Sequence, residues 1–120
     1  MPTAYGASQY KQADVMNASP IRLVVMAYDL AITSCEREDF ETAVKAIIAL
    51  RDALDYDYPE VAGGLLALYN YLLDQLRARD FVQVKNLLSE LREAWATVEK
   101  RMNTSSIEIA QVQTSAQASA

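Results

Sequence analysis

The sequence predicts an all-α protein: an antiparallel, up-and-down four-helix bundle with a mobile N-terminal arm and a polar C-terminal tail. Only three glycines and three prolines occur in 120 residues, and they punctuate the chain at its connections. Apolar residues recur at spacings of three and four, the period of one helix face. We expect an arm over residues 1–18, one bundle over 19–102 and a flexible tail over 103–120.

The first helix is predicted to begin at Ser19 and Pro20. A serine oxygen can accept a hydrogen bond from an unpaired amide of the first turn. Proline at the first helical position sacrifices no hydrogen bond, because its missing N–H would have no partner there. Helix 1 is therefore expected to run from about Pro20 to Arg37.

Two Asp-Phe pairs predict two further helix starts. Aspartate is a preferred N-cap, so we place helix 2 at about Phe40 to Leu54 and helix 4 at about Phe81 to Met102. Helix 3 opens at Pro59 or at the Gly63-Gly64 pair and continues to about Arg79. The connections near Glu38-Asp39 and Asp80 are short, which makes helices 1 and 2, and helices 3 and 4, antiparallel hairpins.

Helices 3 and 4 each carry a core stripe. On helix 4 it comprises Val84, Leu88, Leu91, Trp95, Val98 and Met102, and on helix 3 Ala62, Leu65, Tyr69, Leu72 and Leu76. Tyr71 points to nearly the opposite side of helix 3 at about 100° per residue, so an ordinary two-sided helix does not need it.

Helix 1 is apolar on two opposite faces. One stripe contains Ile21, Val25, Tyr28, Ile32 and Cys35, and the other contains Leu23, Met26 and Leu30. An amphipathic bundle helix needs only one apolar face, so something must cover the second. The cover is either a neighbouring helix, if helix 1 is central, or the chain's own arm or a guest peptide lying in an apolar groove.

The composition argues against catalysis. The chain has no histidine and one cysteine, which removes Ser-His-Asp and Cys-His catalysis and histidine-ligated zinc. The carboxylates show no paired spacing tied to an apolar pocket, and Gly63-Gly64 lacks the lysine of a phosphate loop. We therefore expect no enzyme, no cofactor and no metal site, and we expect Cys35 to be a core residue.

Charge and hydropathy restrict the partners. The net charge is −5 and the eleven Lys and Arg residues are scattered, so nucleic-acid binding is not expected. The longest apolar runs are far too short for membrane insertion, and the first residues lack the pattern of a signal peptide. We expect a cytoplasmic protein.

An ordered set of motifs over about residues 5 to 98 resembles FliS, the family of flagellin-specific export chaperones. The matching positions are Tyr10, Val15, Ala18-Ser19-Pro20, Leu23, Met26-Ala27-Tyr28-Asp29, Gly63-Gly64, Leu68-Tyr69-Asn70-Tyr71 and Leu91-Arg92-Glu93-Ala94-Trp95. Two features depart from the family pattern: Leu30 stands where a glycine is usual, and the stretch from helix 1 to Gly63 is short. The far ends of helices 1 and 2 are therefore expected to be trimmed.

The resemblance implies a cytoplasmic bundle that binds the C-terminal segment of flagellin and prevents its polymerisation before export. It also implies that the N-terminal arm is a displaceable lid over the guest site. The partner-binding residues expected are Tyr10 and Val15 in the lid, Leu23, Met26 and Leu30 in the groove floor, and Tyr69, Tyr71, Leu72 and Leu76 on helix 3. The alternative function is a self-associating or regulatory bundle that binds another flagellar export or regulatory protein.

Overall fold

Four α-helices make up the part of the chain that the structure describes. In this computed structural model the backbone is described for residues 19–118 and the side chains for residues 19–104. The helices are α1 (Pro20–Glu36), α2 (Phe40–Asp52), α3 (Pro59–Arg77) and α4 (Phe81–Ala118). The four predicted helices and the all-α class are confirmed, and α3 begins at Pro59, the first of the two starts considered.

The helices form a ring in which each packs against its neighbours in the chain and α4 returns to α1. Successive helices run antiparallel, which gives the up-and-down topology. Contact is extensive between α1 and both of its neighbours, and it is sparse between α3 and α4. The bundle is therefore closed around α1 and looser between α3 and α4.

Two turns of the same geometry connect α1 to α2 and α3 to α4. In each turn a residue with positive φ follows the helix cap, Glu38 at 55° and Arg79 at 62°. The N–H of the following aspartate donates to the helix just ended, at 2.8 Å from Asp39 and 3.0 Å from Asp80. Its carboxylate accepts from the first turn of the next helix, at 3.2 Å in both cases. One aspartate thus closes one helix and opens the next.

The core draws on all four helices. The buried apolar residues are Val25, Tyr28, Ala31, Cys35, Ala43, Ala46, Ile47, Leu50, Ala62, Tyr69, Leu72, Leu73, Leu76, Val84 and Leu88. The predicted core position of Cys35 is confirmed, and burial raises the pKa of its thiol to about 11. The cysteine therefore stays a neutral thiol near neutral pH, where a thiolate would be needed for nucleophilic chemistry.

Three ion pairs form a ladder along the antiparallel interface of α1 and α4. Arg22 pairs with Glu99 at 3.4 Å, Asp29 with Arg92 at 2.9 Å, and Glu36 with Lys85 at 3.3 Å. Successive rungs are seven residues apart on both helices, which is two helical turns. The sign reverses between the first rung and the other two, so sliding α4 by one rung would leave one pair of opposite charges and one pair of like charges in place of three ion pairs.

The C-terminal end of α4 differs from the prediction. The sequence predicted a helix end near Met102, and this was wrong, because α4 continues to Ala118. The segment from Asn103 to Ala118 contains no glycine or proline, so nothing in it stops a helix that is already nucleated. Flexibility of residues 103–120 stays a prediction. None of the helices in the described range combines the length and apolarity needed to cross a membrane.

We expect Glu38→Gly to raise the free energy of unfolding by about 1 kcal/mol, because glycine adopts positive φ without the clash of a Cβ. Arg79→Gly should gain less, since the Arg79 guanidinium lies 3.7 Å from the centre of the Phe40 ring and that cation–π contact is lost. Urea denaturation of both variants measures the difference. Equal gains would show that the Arg79–Phe40 contact contributes nothing.

We expect Arg92→Glu to lower the free energy of unfolding by about 1 kcal/mol, because it sets a carboxylate against Asp29 at the middle rung. Adding Asp29→Arg should restore most of the loss by reversing the pair. Arg77→Glu is the matched control, since Arg77 pairs, among the residues whose side chains are described, only with the exposed Asp74 of its own helix. Denaturation at low and high salt tests the pairing, and a loss independent of salt would refute it.

Candidate functional site

A second apolar face of α1 lies on the protein surface. It consists of Leu23, Met26 and Leu30, here termed the α1 outer stripe. Leu23 is 41% exposed and Leu30 is 51% exposed, while Met26 is half-buried and lies outside the core cluster. No helix of the described range covers the stripe, so the interpretation of helix 1 as a helix covered on both sides does not apply there. Leu30 lengthens the stripe at its C-terminal end.

The other residues expected to bind a partner fall in three places. Tyr69, Leu72 and Leu76 are almost fully buried and pack within the core. Tyr71 is exposed on α3, and its hydroxyl accepts a hydrogen bond from the Gln83 side-chain amide at 2.9 Å. Tyr10 and Val15 lie outside the described residues. Of the residues predicted to bind a partner, those of the α1 outer stripe and Tyr71 are accessible, but the three core residues offer no accessible area.

Three aromatic side chains from three helices are hydrogen-bonded in the interior. The hydroxyl oxygens of Tyr28 on α1 and Tyr69 on α3 lie 2.5 Å apart, across the diagonal of the bundle. Trp95 of α4 donates its indole N–H to the Tyr28 hydroxyl at 3.2 Å. The Tyr28 and Tyr69 rings are tilted by 55° at a centroid distance of 6.4 Å. We call this set the aromatic triad.

Burial makes the triad hydroxyls poor acids. Desolvation raises the pKa of Tyr28, although its hydrogen bonds to Tyr69 and Trp95 partly oppose the rise. Desolvation, together with the hydrogen bond to Tyr28, raises the pKa of Tyr69 strongly. Both phenols therefore stay neutral near pH 7, and the triad connects helices instead of transferring protons.

An apolar cavity of about 590 Å³ opens at the end of the bundle opposite the two short turns. All four helices and the α2–α3 connection contribute to its lining: Ile21, Val24, Leu50, Ala53, Leu54, Asp55, Tyr58, Val61, Ala62, Leu65, Tyr69, Trp95, Val98 and Met102. We call it the end cavity. Tyr69 and Trp95 of the aromatic triad form its floor, so the triad marks the level at which the closed core gives way to open space.

The end cavity explains where the predicted core stripe of helix 4 departs from the structure. Val84 and Leu88 are buried as expected, but Val98 and Met102 are exposed and line the cavity. Among the neighbouring helices of the described range, α3 and α4 make the least contact. The sequence did not predict the cavity. The available signal was that the apolar stripe of helix 4 is longer than the core stripes of helices 1 and 3.

Charge is unevenly distributed around the end cavity. The last residue of α2, the α2–α3 connection and the first turn of α3 carry exposed carboxylates at Asp52, Asp55, Asp57 and Glu60, and Asp55 lines the cavity. Within the described range none of them forms an ion pair with a Lys or Arg side chain. The α2–α3 connection and the residues beside it are therefore a negatively charged part of the surface.

The geometry of both surfaces suits binding by burial of apolar area. The described residues hold no cluster of three or more cysteine and carboxylate side chains that could bind a metal ion. The buried side-chain nitrogen and oxygen atoms of this part of the chain all have hydrogen-bond partners. Partner binding is what the arrangement can supply, through exposed apolar side chains held on rigid helices.

Comparison with known proteins gives one family. A family model described as flagellar protein FliS matches residues 1–102 of the chain. The match spans α1, α2 and α3, and it covers α4 as far as Met102. No curated protein matches the chain, and no solved structure matches it.

We expect Tyr28→Phe to lower the free energy of unfolding by about 2 kcal/mol, because it leaves both the Trp95 N–H and the Tyr69 hydroxyl without their partner. Tyr69→Phe should cost only about 1 kcal/mol, since the bond between Trp95 and Tyr28 survives. Urea denaturation at an unchanged m-value gives both numbers. A larger loss in Tyr69→Phe would place the centre of the network on α3 instead of α1.

Proposed function

The chain belongs to the flagellar protein FliS family, and on this premise we propose that it binds the C-terminal segment of flagellin in the cytoplasm. The family is one of flagellar secretion chaperones, which supports a role in flagellar assembly and export. Binding would keep flagellin from polymerising before it is exported. The observation that carries the proposal is the exposed α1 outer stripe on a bundle whose core is complete without it.

The stripe offers a guest a defined apolar contact. Leu23, Met26 and Leu30 span about two helical turns, or roughly 10 Å. Each large apolar side chain that a guest covers fully contributes roughly 1.5–3 kcal/mol. Asp29 and Arg92 lie beside the stripe at the α1–α4 interface, so polar groups flank it on that side. An extended or helical guest can lay alternating apolar side chains along this line.

We further propose that the N-terminal arm competes with flagellin for this surface through Tyr10 and Val15. An intramolecular lid acts at a high effective concentration and must be displaced before a guest binds. It would shield Leu23 and Leu30 from water whenever flagellin is absent. Until the guest displaces it, the lid would limit unproductive association through the stripe.

We expect a peptide from the flagellin C-terminus to bind saturably in calorimetric titration, and Met26→Glu to abolish that binding while folding is retained. A carboxylate at this position would have to be desolvated beneath the guest. Val82→Glu is the matched control, because Val82 is 71% exposed on α4 and lies outside the stripe. Circular dichroism and urea denaturation verify the fold of both variants.

Two results would contradict the proposal. Absence of binding by the unaltered chain to both the peptide and intact flagellin rejects the chaperone role. Unfolding caused by Met26→Glu would identify Met26 as a core residue and move the guest surface elsewhere. Sedimentation at several concentrations tests the alternative function, since a dimer that Met26→Glu dissociates would assign the stripe to self-association.

A further inference from the structure

The two halves of α3 are packed into the bundle very differently. We call residues 59–68 the first half and residues 69–77 the second half. The second half contributes four large buried side chains to the core, and the first half contributes one buried alanine. These residues are Tyr69, Leu72, Leu73 and Leu76 in the second half and Ala62 in the first. Because buried apolar area is what holds a helix in place, the first half is held weakly.

Polar contacts of the side chains follow the same division. The Tyr69 hydroxyl shares a hydrogen bond with Tyr28, and the Asn70 side-chain oxygen accepts from the Arg51 guanidinium at 3.1 Å. Among the residues whose side chains are described, none in the first half of α3 forms an ion pair. The polar attachments of α3 to α1 and α2 therefore begin at Tyr69 and Asn70.

The start of α3 is also less fixed than the start of α1, although both helices begin at a proline. In α1 the Ser19 hydroxyl accepts from the Arg22 N–H at 3.3 Å, and the Arg22 side chain pairs with Glu99 of α4. In α3 the N-cap residue makes no side-chain hydrogen bond. Six positions before the bonded tyrosine of each helix, α1 has Arg22 and α3 has Gly63. The first turns of α3 thus lack both the cap and the ion pair.

Two adjacent glycines weaken the first half of α3 further. Gly63 and Gly64 lie inside the helix without positive φ, and a Cβ added to either meets no atom within 4 Å. Neither a turn nor a close approach of another element requires glycine there. Glycine gains more backbone freedom than alanine when a helix unfolds, so the pair favours local unfolding of this segment.

The first half of α3 lies over open space. Val61, Ala62 and Leu65 form part of the lining of the end cavity, whose volume is about 590 Å³. Side chains that face a void have fewer contacts to lose when they move than side chains in a close-packed core. Weak packing, an uncapped start and the glycine pair therefore coincide in one segment.

We propose that the first half of α3 is a hinged wall of the end cavity, which unfolds locally and refolds while the second half stays docked. The boundary lies at Tyr69 and Asn70, whose hydrogen bonds survive the opening. In the open state Leu50 and Trp95, which line the cavity, become accessible to water. The bundle thus contains a gate to its apolar interior, and Gly63 and Gly64 set how often it opens.

Hydrogen exchange of the full chain tests this directly. The amides of Leu65 and Leu66 should exchange roughly tenfold or more faster than those of Leu72 and Leu73. Their exchange should depend little on urea, because a local opening exposes little surface. Combining Gly63→Ala with Gly64→Ala should slow exchange at Leu65 and Leu66 about 20-fold.

Thiol labelling gives a second readout. The new thiol of Ala62→Cys, in the first half of α3, should react with a disulfide reagent roughly tenfold or more faster than the buried Cys35 of the same chain. Adding the two glycine-to-alanine changes should slow the reaction at position 62 about 20-fold. The rate at Cys35 in the unaltered chain is the reference for global unfolding.

Arg51→Ala locates the hinge. It removes the hydrogen bond to Asn70, so it should speed exchange at Leu72 and Leu73 about two- to fivefold. Exchange at Leu65 should not change, because the open state of the unaltered chain still contains that bond.

Three outcomes would overturn the proposal. Equal protection of amides along the whole of α3 removes the division into halves. Exchange at Leu65 with the urea dependence of global unfolding removes the local opening. An equal effect of Arg51→Ala at Leu65 and Leu72 moves the boundary beyond Asn70. Failure of flagellin to bind affects none of these measurements, because they are made on the chain alone.

Discussion

The hydroxyl group of Tyr28 is the contact on which the arrangement of the four helices depends. It lies in the interior, accepts from Trp95 on α4 and shares a hydrogen bond with Tyr69 on α3. A buried hydroxyl without partners is costly, so the packing that satisfies both bonds is preferred over packings that are equally apolar. The triad therefore gives the bundle a specific relation between diagonally opposite helices, which leucine and alanine contacts alone would not enforce.

A second constraint acts on the outside. The ion-pair ladder joins α1 to α4 at three levels, and the reversal of sign after its first rung opposes any shift by two turns. Each rung is partly exposed and contributes little stability by itself. The ladder acts mainly by disfavouring incorrect alignments of α4 against α1, while the aromatic triad fixes how the helices pack in the interior. Together they hold α1 so that Leu23, Met26 and Leu30 cannot rotate into the core.

Much of the fold could be predicted from the sequence, because the signals are local. Pro20, Asp39, Pro59 and Asp80 mark helix starts through backbone chemistry, and the structure has all four helices beginning within one residue of them. The two apolar faces of α1 also follow from spacing alone. The end of α4 could not be predicted, since a segment of alanine, serine and glutamine neither promotes nor stops a helix strongly.

The binding surfaces were predictable only in part. Spacing shows that a residue faces one side of a helix, but not whether another helix covers that side. Leu72 and Leu76 satisfy both a core stripe and a groove, and only the packing of α3 against its neighbours places them in the core. Val98 is the reverse case: its stripe predicts burial, but Val98 is 40% exposed and lines the end cavity. Long-range geometry, absent from any local pattern, decides both cases.

The two aspartate turns have a consequence for the evolution of chain length. Asp39 and Asp80 each serve two helices at once, so an inserted residue would break a cap on one side or the other. The connection from Ala53 to Tyr58 has no such dual residue, and Tyr58 caps α3 without a side-chain hydrogen bond. We therefore expect insertions and deletions to be tolerated in the α2–α3 connection and to be destabilising in the two aspartate turns. The α2–α3 connection lines the end cavity. A change in the length of this connection can therefore alter the shape of the cavity while the rest of the bundle is preserved.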